Sequence, residues 1–235
     1  MPRTSSTDRR LETEPRVRRG YFECRYGQLH MHNAIPPGGG FEEGTPLLCL
    51  HGARGSGRAF TGFLALTGRD RSVYAPDLPG CGESDPPPPP ATLADYIAAL
   101  GDFLDSMRLR QVDVFGHGAG AVLAAELALA RPGQVRRLAL MALPAGSEAG
   151  SGPAREAGEA LAAAAADYPL RERLRRLTQS VLLVRSQEPS GPDAAARLRD
   201  LVPAARVADL ADSGADPLAA APARVAEAVG AFLRG

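Results

Sequence analysis

Apolar residues in this chain fall into short runs separated by longer helical stripes. Pro46 to Leu50, Ser72 to Ala75, Val112 to Phe115, Arg137 to Leu143, Ser180 to Arg185 and Arg206 to Leu210 are strand-length runs. The apolar ones, bounded by turn residues, have the pattern of strands buried on both faces. The clearest helix starts at Thr92, with Asp95 three residues on as in a capping box. It carries Leu93, Tyr96, Ile97, Leu100, Phe103, Leu104 and Met107 at helical spacing. Gly57 to Leu66, Ala119 to Ala130 and Ala194 to Leu201 are expected as further helices, and Val225, Val229, Phe232 and Leu233 mark the core face of a closing one. Strand, helix, strand at this rhythm predicts right-handed crossovers in a parallel sheet.

Three segments depart from that rhythm. Tyr21 to Arg25 and Gln28 to Asn33 flank Tyr26-Gly27 and predict a hairpin. His30 and His32 alternate on one of its faces, and with no carboxylate or cysteine partner nearby they read as surface residues, not a metal pair. Asp77 to Ala91 is loop, stiffened by the run Pro86 to Pro90. Gly146 to Gln179 is rich in glycine and serine, then alanine, then arginine, and predicts two short helices forming a small cap. The expected organisation is a mobile tail over 1–19, a core over 20–145 and 180–235, and a cap over 146–179.

Composition narrows the classes. The chain has 235 residues, 44% of them hydrophobic, enough for one domain with a sizeable core. Net charge is zero, which predicts no nucleic-acid or anionic-membrane partner. All 27 basic residues are arginine; with no lysine, Schiff-base and lysine-bound pyridoxal chemistry are excluded. Cys24, Cys49 and Cys81 are odd in number and lack zinc spacing, so free thiols are expected, with no metal and no cofactor. No apolar run is long enough to span a bilayer, and the polar stretch Met1 to Arg19 lacks a signal-peptide core, which predicts a cytoplasmic protein.

The chemistry-bearing segments follow strands. Leu48-Cys49-Leu50-His51-Gly52-Ala53-Arg54 is a strand, then HG and a loop. Pro76-Asp77-Leu78-Pro79-Gly80-Cys81-Gly82-Glu83-Ser84-Asp85 is a glycine-rich loop. Val114-Phe115-Gly116-His117-Gly118-Ala119-Gly120 is a strand-to-helix turn. In this order they resemble the α/β-hydrolase fold superfamily, from about Gly20 to the C-terminus. The resemblance implies a mostly parallel central sheet flanked by helices, with a shortened cap, and a fold that often forms homodimers. That family's nucleophile elbow reads G-x-S-x-G. Laid on this chain, Gly116 and Gly120 are the flanks and Gly118 stands at the serine position. The family's histidine follows the last strand; in Ser213-Gly214-Ala215-Asp216-Pro217, Ala215 stands there. The acid falls in Ser186-Gln187-Glu188-Pro189, where only Glu188 fits. Loss of such a nucleophile or base costs about a millionfold in rate, so a standard serine esterase is disfavoured.

The resemblance places the amides of Ala53 and Ala119 as an oxyanion hole, with His51, Gly52, Arg54, Gly118 and Ala215 around the ligand. His117 is the candidate acid/base beside the vacated position, although the residue before the nucleophile usually points away from substrate. Asp216 is either a second titratable group or a helix cap. Three functions fit: non-covalent acid/base chemistry on a small, mostly apolar molecule (cyclisation, elimination or isomerisation), a non-catalytic module binding a ligand or partner, or a hydrolase with a relocated nucleophile such as Ser56 or Cys81.

Overall fold

The computed structural model of the chain describes residues 14–37, 44–143, 157–166, 168–186, 202–210 and 216–235. Among these residues eight strands make one sheet: β1 (Val17–Cys24), β2 (Gly27–Ala34), β3 (Gly44–Leu50), β4 (Arg71–Pro76), β5 (Val112–His117), β6 (Val135–Met141), β7 (Ser180–Ser186) and β8 (Arg206–Leu210). Their order is β1-β2-β4-β3-β5-β6-β7-β8. Strands β3 to β8 are parallel, and β2 runs antiparallel to both β1 and β4. Connections leave β3 toward β4 on one side, while β5 and its successors build outward on the other. The switch in direction therefore lies between β3 and β5, and past the carboxyl ends of these strands is where sheets of this kind place their ligands.

Strict alternation along the central strands feeds two cores. Leu48, Leu50, Val112, Val114, Leu138, Leu140, Val181 and Leu183 pack with helices α2 (Leu93–Ser106) and α3 (Ala119–Ala130). Leu47, Cys49, Phe115, Ala139, Met141, Leu182 and Val184 face α1 (Thr61–Thr67) and the closing helix. Each of the valine, leucine, phenylalanine and methionine side chains among these contributes about 1.5–3 kcal/mol on burial. The start of α2 is fixed as the pattern predicts: the amide and hydroxyl of Thr92 donate to the Asp95 carboxylate at 2.8 and 2.6 Å. Two short helices, α4 (Ala157–Ala166) and α5 (Leu170–Leu174), lie within the cap segment. Arg173 of α5 forks onto Glu126 of α3 at 2.5 and 2.7 Å. Leu161, Ala165 and Leu174 are buried in the α3-side core.

Several expectations need correction. Strand β1 begins at Val17, so its first residues fall inside the stretch expected to be tail. The hairpin turn is Arg25-Tyr26, one residue earlier than expected, because Cys24 pairs with Gly27. The helix expected over Gly57 to Leu66 is a 3-10 turn at Gly57–Phe60 followed by α1. The closing helix is two, α6 (Pro217–Ala220) and α7 (Pro222–Arg234), because Pro222 interrupts the first. The expected helix at 194–201 lies outside the described residues.

Candidate functional site

The turn after β5 is held in a conformation few residues adopt. Gly118 has φ 58° and ψ −125°, a region that strains any residue with a side chain. Its N–H donates to the Met141 carbonyl at 2.9 Å, and its own carbonyl accepts the Ala121 N–H at 2.9 Å. Gly116 and Gly120 are glycine for a different reason. A Cβ on Gly116 would overlap the Ala121 backbone, and one on Gly120 would overlap the Leu50 carbonyl. Their absence lets the first turn of α3 lie directly against the ends of β3 and β5. At Gly118 a Cβ would meet only the Cα of Gly52, at 3.5 Å, an ordinary contact. The turn is thus strained in its backbone and roomy for a side chain at one residue.

The same contact brings the loop after β3 alongside. Gly52 faces Gly118, and Ala53 follows it. Ala119 opens α3, where an N–H has no intrahelical acceptor and the helix dipole favours negative charge. Ala53, Cys81, Ala119, Leu161 and Ala165 belong to one apolar cluster.

His51 is 1% exposed and ties two loops. The Leu78 N–H donates to its Nε2 at 2.8 Å, so the ring proton sits on Nδ1 and donates to the Gly52 carbonyl at 2.7 Å. Burial lowers its pKa below the ordinary histidine value. Both ring nitrogens are engaged with backbone. His117 is half-buried, with Nδ1 lying 3.6 Å from where a Gly52 Cβ would be. Arg54 is exposed. The Asp216 carboxylate accepts the N–H groups of Leu218 and Ala219 at 3.1 and 3.3 Å, capping α6. Glu188 and Ala215 lie outside the described residues. Cys81 is 6% exposed, burial pushes its thiol up to about 11, and Sγ donates to the Ala53 carbonyl at 3.7 Å. A thiol in that state is a poor nucleophile.

His30 and His32 are not surface residues: they are 2% and 8% exposed. Nor does His30 lack a carboxylate, since its Nδ1 lies 3.0 Å from Asp77 Oδ2. Strand β2 sits between β1 and β4 with both faces covered, so alternation there does not mean exposure. Asp77 organises its loop through its side chain as well as its backbone, accepting the N–H groups of Gly57 at 2.6 Å and Glu83 at 2.9 Å. Among the described residues no group of three histidine, cysteine or acidic side chains could hold a metal, and no helix is long and apolar enough to cross a membrane.

Two features of the site were not read from the sequence. Gly158, in the first turn of α4, lies so close to the loop after β3 that a Cβ there would fall 2.5 Å from the Ala53 carbonyl oxygen. The Arg173–Glu126 fork fastens the cap to α3. Glycine within an alanine-rich helix was the only available signal for the first, and the second joins residues 47 apart in sequence.

Residues 45–202 match the family model described as alpha/beta hydrolase fold. The chain is 32% identical over 120 residues to a proline iminopeptidase of Heyndrickxia coagulans, covering 50% of this chain and 40% of that one. It thus spans less than half the length of this curated relative. Its structure is similar to the thioesterase domain from the curacin biosynthetic pathway, with TM-score 0.75 and 17% identity over 94% of this chain and 100% of that one. It is also similar to naproxen esterase from Bacillus subtilis, with TM-score 0.74 and 20% identity over 98% and 99% of the two chains. At such identities the structural likeness shows the fold alone.

Proposed function

The chain belongs to the α/β-hydrolase fold family, and on that premise we propose that it binds a small, mostly apolar carbonyl or carboxyl compound in the cleft at Gly118 and acts on it, if at all, without a covalent serine step. The observation that carries this reading is the turn itself. Gly118 keeps the strained geometry and the open space of an attack point while offering no atom to attack with. Ala215 stands at the position the family gives to its base. Oxygen of the ligand is placed at the amides of Ala53 and Ala119, the latter at a helix start that favours negative charge, and its apolar body against Cys81, Leu161 and Ala165.

Of the titratable candidates, His51 is spent on two backbone bonds, Asp216 caps α6, and Cys81 is a buried, protonated thiol. We place the acid/base at His117, which ends β5 beside Gly118, for non-covalent chemistry such as cyclisation, elimination or isomerisation. The same engagement of His51 and Asp216 favours, as a second reading, a module that binds and does not react. Relocated covalent catalysis at Cys81 is disfavoured by its raised pKa.

The test is a thermal-shift titration with a panel of small apolar ketones and carboxylates, each recovered and checked for conversion. At a hundredfold excess over Kd, binding adds about 2.7 kcal/mol of stability. Stabilisation abolished by the space-filling variant Gly118→Leu is the expected result. Conversion lost in His117→Ala assigns the acid/base role, and recovery unchanged assigns the binding module. Stabilisation that persists in a folded Gly118→Leu variant, or none from any compound, overturns the reading.

A further inference from the structure

We propose that Gly158 is a positioning residue: it clamps the cap helix α4 onto the Ala53–Arg54 peptide, so that seating of the cap and presentation of the Ala53 amide to the cleft are coupled. The close approach is specific. A Cβ on Gly158 would lie 2.5 Å from the Ala53 oxygen and 3.4 Å from both the Ala53 carbonyl carbon and the Arg54 Cα. These are backbone atoms, which cannot swing aside as a side-chain end would. Only glycine lets the first turn of α4 rest on that peptide.

The peptide is held from a second direction. Cys81 Sγ donates to the Ala53 oxygen at 3.7 Å, and His51 holds the start of the same loop through the Gly52 carbonyl. The other end of the cap is fastened to α3, whose first residue is Ala119, by the Arg173–Glu126 fork and the burial of Leu174. The cap therefore bears on both segments that carry the candidate oxyanion donors. Leu161 and Ala165, one and two turns along α4, are 0% and 5% exposed in the same cluster as Ala119. A cap seated this closely selects short ligands, because any length beyond the amides runs into α4.

The consequence for ligands rests on the cleft reading above; the clamp itself does not. Amide hydrogen exchange in the unliganded full-length chain tests it directly. In Gly158→Ala, exchange at the Gly55 amide, which donates to the Gly52 carbonyl at 2.9 Å and so closes the Ala53–Arg54 turn, is expected to rise tenfold or more, with the β5 amides unchanged. Ala163→Gly, on an exposed position of the same helix, loosens α4 without touching the loop and is expected to leave Gly55 exchange as it was. Gly55 exchange unchanged in Gly158→Ala, rising equally in both variants, or rising together with β5, overturns the clamp. With phenylacetate as probe, Gly158→Ala is expected to weaken Kd about tenfold while Ala163→Gly does not. If exchange responds and phenylacetate binds neither variant nor the parent chain, the clamp stands and the cleft reading fails.

Discussion

Three glycines within five residues do two different jobs at the end of β5, and the difference can be measured. Gly116 and Gly120 are required by contact, since a Cβ at either would overlap backbone. Gly118 is favoured by its positive φ and has space in front of it. Gly118→Ala should therefore cost about 1–3 kcal/mol, the cost of holding a side chain in a sparsely populated backbone region. Gly120→Ala should cost more than about 3 kcal/mol, because Leu50 or α3 must move. Urea unfolding of the two variants checks the order, and equal costs would refute the division of labour. That Gly116-His117-Gly118-Ala119-Gly120 forms a strand-to-helix turn was legible through its resemblance to the family's G-x-S-x-G elbow. Which glycine serves sterics and which serves φ was not, because both requirements write the same letter. Asp113 was silent for another reason. It is fully buried and pairs with Arg71 and Arg136, which lie 42 and 23 residues away. Nothing local marks it within Val112-Asp113-Val114.

At the scale of elements, the loops after β3 and β4 are joined by one imidazole. His51 is neutral, with Nε2 accepting from Leu78, and burial is the largest cause of its lowered pKa. His32 is lowered the same way, and its buried Nδ1 has no hydrogen-bond partner among the described residues. Above about pH 6.5, the ordinary value, both are neutral folded or unfolded and contribute nothing to the pH dependence. As pH falls below it, the unfolded chain takes up the protons first, so the fold loses stability until the folded pKa values are reached. Each group adds up to about 1.4 kcal/mol per pH unit in that window. Denaturant unfolding at about pH 7.5 and about pH 5.5 should show the loss, and His51→Gln should lessen it. An unchanged slope in the variant would mean that the Leu78–His51–Gly52 link is not made in solution. The sequence pattern placed these strands within a residue or two, since strands buried on both faces announce themselves as apolar runs. It misjudged β2, whose histidines alternate as exposed residues would, because the loop after β4, which meets His30 through Asp77 and Ser84, is not visible from the hairpin alone.

For the whole molecule, topology decides where chemistry can occur. The order of strands puts the ends of β3 and β5 side by side at the switch point, and the two loops legible as motifs meet there. Two short helices were expected between β6 and β7 and two are found there, but the bearing of α4 on Ala53 needed coordinates, because a single close approach leaves no periodic trace. On the proposed function, a ligand binds at Gly118 and no side chain there can attack it. Intact-mass measurement after incubation with an alkyl fluorophosphonate tests this most directly. No added mass on the folded chain is expected. One phosphonyl group per molecule, mapped to a serine of the cleft such as Ser56, would contradict it.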